Sequence, residues 1–246
     1  MAEKNWFTAD LDIGGTAYRV RRARVNEAMS EVPHATFELA DDVAALPDPA
    51  DLVGKDLLLT FTPSEEMGGD PRFFRGVVVD ASRTVALRES HVRVVAAPRL
   101  WRLEKRQDCR IFQDTSAVDV VTAVLEQAGV KDVEKRLSGS YAKRTTITQY
   151  RETDLAFVLR LCSEEGIYLH YDFKDKELLV LADDPKGTGD APEELTFQPA
   201  MGAEIPANAV TEIRQTHRVK TDKVFVRDYD FERPRLDLEA SVEGKD

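Results

Sequence analysis

The chain has little of what membrane proteins and disulfide-stabilised secreted proteins need. No run approaches the roughly 18 apolar residues of a membrane-spanning helix, and the first residues, Met-Ala-Glu-Lys-Asn-Trp, lack the basic and then apolar layout of a signal peptide. The two cysteines, Cys109 and Cys162, lie far apart in hydrophobic contexts, so we expect reduced core thiols. These absences predict folding in the cytoplasm, no membrane insertion and a signal-independent route out of the cell.

The residue patterns of enzymes and metal proteins are also missing. Cys162 and His170 could form a nucleophile and base, but Cys162 falls on the apolar stripe of a predicted helix. No His-Glu-x-x-His run and no i, i+4 pair occurs among the four histidines, His34, His91, His170 and His217. Paired carboxylates are expected by chance among 45 acidic residues. The sequence predicts a non-enzymatic protein without a cofactor and without a metal.

The charge balance excludes one class of partner. With 34 basic and 45 acidic residues the formal net charge is −11, which disfavours nucleic acid, because binding phosphates needs a concentrated basic face. Four arginines do cluster on one predicted strand, Arg19, Arg21, Arg22 and Arg24. They are compatible with a solvated or partner-facing side of that strand, or with an anion-binding patch.

The first hundred residues show short alternating segments separated by turn signals. The adjacent glycines Gly14 and Gly15 supply the positive φ angles of a two-residue hairpin turn. Later strands are predicted at Leu57–Phe61, Phe73–Val79, Thr84–Leu87 and His91–Ala96. This spacing predicts a closed or nearly closed antiparallel β-barrel over residues 1–98.

A helical pattern replaces the strands after Pro98. Ser116 can cap a helix that runs to Ala128, with Asp119 three residues later as in a capping box, and Gly129 ends it. The following charged residues, 131–144, are expected to be looser.

A second helix is marked at both ends. Thr153 is a good N-cap, Gly166 suits the left-handed C′ position, and the apolar residues between them recur at helical spacing, Leu155, Phe157, Val158, Leu159, Leu161 and Cys162. A strand is predicted before this helix at Arg144–Tyr150, and two more after it at Ile167–Phe173 and Glu177–Ala182. Residues 99–182 are therefore predicted to form an α+β unit with two helices.

Residues 183–206 hold four prolines and three glycines, and they are expected to form a surface connection. Alternation returns from Val210 to Val226, which predicts further strand.

Three stretches of the chain carry recognisable motifs. The first holds Trp101 and the run Arg110-Ile111-Phe112-Gln113-Asp114. The second holds Gln149, Tyr150, Glu152, Thr153, Asp154, Phe157, Glu164, Glu165, Gly166, Ile167 and Tyr168. The third is Arg227-Asp228-Tyr229-Asp230-Phe231 with Pro234. In this order the three stretches resemble the motifs of the VgrG family, the spike proteins of type VI secretion systems, and the second resembles the family's central motif.

This resemblance implies an α+β, predominantly β, phage tail hub-like fold. Residues 207–240 would complete the β-barrel of residues 1–98, residues 99–182 would be inserted between its strands, and 241–246 would be a tail. It also implies a structural hub at the base of a spike. The implied partners are two further copies in a homotrimer, an Hcp-like tube protein, baseplate components, and effector or adaptor proteins. A phage or extracellular injection hub, or a monomeric adaptor module, remains an alternative.

Eleven residues of these motifs are candidates for an interface: Trp101, Phe112, Gln113, Tyr150, Glu152, Phe157, Glu165, Gly166, Asp228, Tyr229 and Phe231. Glu152, near a helix N-terminus, and Phe157, on an apolar stripe, could equally stabilise the fold from inside. Both interpretations stay open at the level of sequence.

Overall fold

The computed structural model divides into two compact units, residues 1–193 and 194–246. It describes residues 7–39, 46–64, 70–86, 90–188, 197, 210, 212–217, 219 and 221–244. Among these described residues, no helix is long and apolar enough to cross a lipid bilayer.

A closed antiparallel barrel of six strands forms the first part of the larger unit, as predicted. Its strand order is β1-β2-β3-β6-β5-β4. The strands are β1 (Phe7–Ile13), β2 (Thr16–Asn26), β3 (His34–Leu39), β4 (Asp56–Pro63), β5 (Arg72–Val85) and β6 (Ser90–Ala97), and a short helix α1 (Pro49–Leu52) precedes β4. Gly14 and Gly15 join β1 to β2 with φ angles of 61° and 83°, which confirms the predicted hairpin turn.

The barrel is filled by the inward side chains of its strands. Along β3 the buried residues alternate with half-buried or exposed ones, and Ala35, Phe37 and Leu39 point inward. Gly76 on β5 lies so close to β6 that a Cβ atom would be 2.5 Å from the carbonyl oxygen of Ala97. The absence of a side chain there lets the two strands approach.

The sequence pattern predicted two strands at a place where the barrel has one. Phe73–Val79 and Thr84–Val85 belong to a single strand, β5, rather than to two. A register shift between Val78 and Asp80 interrupts the alternation of β5 against β6. Such a bulge changes which residues face inward, and it makes one long strand resemble two short ones in the sequence.

The α+β unit follows the barrel and contains the two predicted helices. Its elements are a 3₁₀ helix (Arg99–Lys105), β7 (Gln107–Ser116), α2 (Ala117–Gln127), β8 (Val133–Arg136), β9 (Lys143–Thr153), α3 (Asp154–Glu164), β10 (Tyr168–Asp172), β11 (Leu178–Ala182) and a 3₁₀ turn (Pro185–Thr188). Strands β7 and β9 form a two-stranded antiparallel ribbon. Strands β10, β11 and β8 form a sheet in which β8 runs parallel to β11.

Both helices have the predicted caps. The side chains of Ser116 and Thr153 accept hydrogen bonds from the backbone N–H groups of Asp119 and Ala156. At the end of α3, Gly166 has a φ of 70° and Ile167 donates to the carbonyl of Cys162 over 2.8 Å. This is a Schellman motif, and α2 ends in the same way around Gly129.

Two strands of this unit were not predicted. Residues 133–136 form β8 inside a stretch expected to be loose, and β7 occupies residues 107–116. Cys109 lies on β7 and is exposed, so the expectation that it is a core thiol is wrong, whereas Cys162 is buried in α3. Both cysteines are free thiols, as predicted.

Specific contacts join the α+β unit to the barrel. Phe173, directly after β10, enters the barrel core and lies 5.1 Å from Phe74, measured between ring centroids. Arg75 donates from Nε to the carbonyl of Phe173 over 2.9 Å, and Arg99 bridges Asp56 of β4 and Glu177. The end of β10 and its turn are therefore held against the barrel wall.

The smaller unit contains a hairpin of β12 (Lys223–Asp228) and β13 (Leu238–Glu243). The predicted strand from Val210 to Val226 is only partly correct, because residues 212–217 are described without strand and β12 begins at Lys223. The expected tail at 241–246 is wrong in its first three residues, because β13, which was not predicted, extends to Glu243. The barrel closes without a strand from residues 207–240, whose expected association with it stays a prediction.

Candidate functional site

A buried carboxylate stands at the centre of the motif residues. Asp154, the first residue of α3, is 1% exposed. Its Oδ1 accepts hydrogen bonds from Arg110 of β7 and, over 3.0 Å, from the side chain of Gln149. Arg106 Nε lies 3.2 Å from Oδ2, and the Asp154 backbone N–H donates to the Arg106 carbonyl. The negative charge also sits in the first turn of a helix, where the helix dipole favours it.

Gln149 completes this network from β9. Its side chain is fully buried, accepts a hydrogen bond from Arg110 Nε over 2.8 Å, and donates to the Glu152 carbonyl over 3.1 Å. Every polar atom of the Gln149 amide thus has a partner, as a buried amide requires. The network ties β7, β9 and the start of α3 together.

Phe112 and Phe157, two of the candidate interface residues, pack against each other inside the unit. Their rings are stacked with centroids 5.9 Å apart. Phe157 is completely buried, and Phe112 is half-buried on the inner face of the ribbon. These two residues therefore contribute to the core in this chain.

The candidate glutamates form ion pairs between α3 and β9. Arg160 binds Glu152 at 2.6 Å and Glu164 at 3.0 Å, and Arg144 binds both Glu164 and Glu165. The hydrogen bond from Arg144, followed by that from Arg160, lowers the pKa of Glu164. Because these groups are half-buried or exposed, each pair adds little stability on its own. Together they fix the helix against the strand.

Three candidates lie at the surface of the α+β unit. Gln113 and Tyr150 are exposed on the outer face of the β7–β9 ribbon, and Tyr150 is 65% exposed with the Arg151 guanidinium 5.3 Å from its ring centroid. Trp101 is half-buried in the 3₁₀ helix with Lys105 Nζ 5.2 Å from its ring centroid. Of these, Gln113 and Tyr150 are exposed to a partner.

The remaining candidates belong to the smaller unit. Asp228 ends β12, and Tyr229 and Phe231 follow it with 69% and 80% of their surface exposed. Asp230 then accepts hydrogen bonds from the backbone of Glu232 and Arg233, which shapes the turn. Two large aromatic side chains are thus presented next to this turn.

The arginines of β2 lie on the outside of the barrel. Arg19, Arg22 and Arg24 are exposed, and Arg22 lies 3.6 Å from Glu38. This agrees with a solvated or partner-facing strand side.

The proposed thiol and imidazole pair has no support in the geometry. Burial raises the pKa of the Cys162 thiol to about 12, so the nucleophilic thiolate does not form near neutral pH. The His170 ring stacks on Tyr168. Within the described ranges, no cluster of three or more histidine, cysteine, aspartate or glutamate side chains could hold a metal ion.

A groove of about 670 Å³ lies where the barrel meets β10. Its lining mixes aromatic and charged side chains, among them Phe61, Glu27 and Lys174. No nucleophile paired with a base lies in this lining.

Arg110, Gln149 and Asp154 all lie in the sequence motifs, but nothing in their spacing predicted that they form one network. Arg110 and Asp154 are 44 positions apart in the sequence, and only the register of β7 against β9 brings them together. The sequence offered one signal for this network, namely that each of the three is a polar motif residue that stands next to an apolar or aromatic one.

Comparison with protein families adds an independent result. The family model of the phage tail baseplate hub (GPD) matches residues 26–246. The type VI secretion system spike protein VgrG1c of Pseudomonas aeruginosa is 30% identical over 240 residues, which cover 95% of this chain and 32% of that protein. This chain thus spans about a third of the length of the curated relatives that match it nearly throughout.

Solved structures share the fold. The E. coli c3393 protein, described as a component of the type VI secretion system that resembles T4 tail proteins, superposes with a TM-score of 0.60 at 19% identity. The match covers 90% of this chain and 56% of that one. A tail protein from Neisseria meningitidis MC58 gives a TM-score of 0.60 at 12% identity and covers 98% of this chain and 67% of that one.

Proposed function

Because the chain belongs to the phage tail baseplate hub family, we propose that it forms the hub at the base of a spike in a contractile injection machine of the type VI secretion kind. The proposal rests on the agreement between the family match of the sequence and the fold of the described chain. The family model matches residues 26–246, and the described chain combines a closed β-barrel with an α+β unit, in common with solved secretion and tail proteins.

The role in this proposal is mechanical rather than catalytic. The motif residues at the centre of the α+β unit serve packing and ion pairing, and Cys162 is buried with a raised pKa. A rigid unit is what a load-bearing component needs. The barrel and the α+β unit are joined by the Phe173 and Arg99 contacts.

The proposed partners follow from the same assignment. The family resemblance implies a homotrimer, and head-to-tail contacts between copies can close into such a ring when the rotation between them is right. The hub would sit on an Hcp-like tube protein, contact baseplate components, and carry effector or adaptor proteins. It would assemble in the cytoplasm and leave the cell with the machine.

The secretion system is favoured over a phage tail by the sequence comparison. Spike proteins of Pseudomonas aeruginosa are 26–31% identical over 95–97% of this chain, whereas two matched tail protein structures are 12–16% identical. Similarity of structure at such low identity supports the fold alone.

Binding to the tube protein tests the proposal. We expect a version extended to the length of the curated relatives to retain an Hcp-type tube protein on an affinity resin. A matched version that lacks residues 1–246 should lose the tube protein while remaining soluble. Equal retention by both versions, or retention by neither, would overturn the proposal.

A further inference from the structure

The β7–β9 ribbon has one face against the helices and one face in solvent. On the inner face, Ile147 is buried in the core cluster of the α+β unit, and Phe112 packs on that cluster beside Phe157 of α3. In the described part of the chain no third strand pairs with β7 or with β9. The ribbon therefore has two backbone edges that no strand covers.

The direction of the backbone groups on these edges follows from two hydrogen bonds. The N–H of Cys109 donates to the Asp108 carboxylate over 2.8 Å, and the carbonyl of Thr148 accepts from Arg160 Nη2 over 3.0 Å. Both groups thus point away from the partner strand. In an antiparallel ribbon this direction alternates with a period of two, so Ile111, which is paired with Thr148, turns its N–H and C=O outward as well. Gln113, two residues later, also turns its N–H and C=O outward.

The two edges are protected to different degrees. On the β9 side, the Arg160 guanidinium covers Thr148 and is itself held by Glu152 and Glu164. On the β7 side, the Asp108 carboxylate covers only Cys109. None of the described hydrogen bonds from outside the ribbon reaches Ile111 or Gln113. The stretch from Ile111 to Gln113 is an unprotected strand edge.

The six residues of the outer face beside this edge are uncharged, although 32% of the residues in the chain are charged, and the one described charge in contact with the face is the Arg151 guanidinium over the Tyr150 ring. The six residues are Cys109, Ile111 and Gln113 on β7, paired with Tyr150, Thr148 and Thr146 on β9. Ile111 is 68% exposed and Tyr150 is 65% exposed. Soluble proteins usually protect an exposed edge with lysine, proline or a covering loop, so an uncharged face beside an open edge indicates a surface that another segment covers.

We infer that β7 accepts an extended segment of another protein as an additional strand along Ile111–Gln113. The ribbon is only two strands wide, roughly 10 Å, which is narrow for a stable interface between folded proteins that buries roughly 800 Å² of accessible surface per partner. Strand addition instead gains its affinity from main-chain hydrogen bonds. This inference does not depend on the trimer or on the tube partner.

The charges beside the edge define the chemistry of the segment. Asp108 and Asp114 lie towards the two ends of β7 and are exposed, with Arg110 Nε 3.6 Å from the Asp108 carboxylate, and the whole chain has a net charge of −11. The complementary segment has an uncharged, β-branched centre and lysine or arginine on both sides.

A synthetic peptide tests this inference on the intact 246-residue chain. The probe is fluorescein-labelled Lys-Lys-Thr-Val-Thr-Val-Thr-Lys-Lys, and its control has N-methyl groups on alternate residues, which remove the strand hydrogen bonds. We expect the probe to bind at least tenfold more tightly than the control. The amides of Ile111 and Gln113 should exchange rapidly in the free protein and at least tenfold more slowly with the probe bound.

Two variants separate edge pairing from simple charge attraction. Gln113→Pro removes an outward N–H, and we expect at least a tenfold loss of probe binding, whereas the matched variant Gln113→Thr should bind normally. If the proline variant is unfolded by circular dichroism, Ile111→Pro gives the second test, because it removes the other outward N–H without changing the charge, and Ile111→Thr is its matched control. Slow exchange of the Ile111 and Gln113 amides in the free protein would overturn the inference. So would equal binding of the probe and its N-methylated control.

Discussion

Arg110 on β7 donates a hydrogen bond to the buried carboxylate of Asp154, across 44 positions of sequence, and thereby connects the ribbon to the first turn of α3. Arg106 approaches the second oxygen of the same carboxylate. Removing both members of a buried ion pair costs less stability than removing one of them, because a lone charge would otherwise stay buried.

Replacing Arg110 alone should therefore be costly. We expect Arg110→Met to lower the free energy of unfolding by about 3–5 kcal/mol, because the carboxylate of Asp154 stays buried with one cation fewer. The double variant Arg110→Met/Asp154→Leu should recover part of this loss. Urea unfolding followed by circular dichroism measures both, with the exposed Arg102→Met as the matched control. A loss no larger than that of the control would contradict the role assigned to the pair.

Gly166 gives a test of the helix end. Its φ of 70° strains any residue with a Cβ atom, while no atom lies within 4 Å of where that Cβ would be. We expect Gly166→Ala to lower stability by about 1 kcal/mol through the backbone alone, and Gly166→Asn by less. Thermal unfolding of both variants, beside Ser163→Ala in the exposed part of α3, checks this order. Equal midpoints of thermal unfolding for Gly166→Ala and Ser163→Ala would count against the Schellman motif.

The two thiols should differ in reactivity. Cys109 is exposed, whereas burial of Cys162 raises its pKa to about 12. We expect a disulfide reagent at pH 8 to modify one thiol per native molecule and two after denaturation. Cys109→Ser should abolish the native reaction, and Cys162→Ser should leave it unchanged. Rapid modification of two thiols in the native protein would show that Cys162 is accessible.

The raised pKa of Cys162 also predicts a loss of stability in alkali. The thiol keeps its proton in the folded chain up to about pH 12, while the unfolded chain loses it near the ordinary value of 9.0. This contribution is fully present below pH 9 and falls as the pH rises towards 12, by up to about 1.4 kcal/mol per pH unit. Burial raises the pKa of Tyr141 and Tyr171 in the same direction.

Urea unfolding at several pH values between 8 and 11 checks this slope. Cys162→Ala should reduce the alkaline loss, because one titrating group is removed. An identical slope for the variant would mean that Cys162 does not contribute.

Local signals predicted the helices and the barrel turn, because each depends on residues close in sequence. Ser116 and Thr153 each cap a helix by accepting a hydrogen bond from the backbone N–H three residues later, and Gly14 and Gly15 close a turn between adjacent strands. These features follow from backbone geometry that one or two residues determine.

Features that depend on distant pairing could not be predicted in the same way. The strand β8 is charged and short, and its parallel partner β11 lies about 45 residues further along the chain. The exposure of Cys109 depends on which face of β7 packs on the helices. The network around Asp154 depends on the register of β7 with β9. Each of these is fixed by tertiary structure rather than by local sequence.

The oligomeric mass of a version extended to the length of the curated relatives tests the hub assignment most directly. Light scattering coupled to size-exclusion chromatography should give three times the protomer mass for that version at micromolar concentration. The 246-residue chain, measured in parallel, shows whether this region is sufficient for assembly. A strictly monomeric extended version that also fails to bind the tube protein would contradict the assignment.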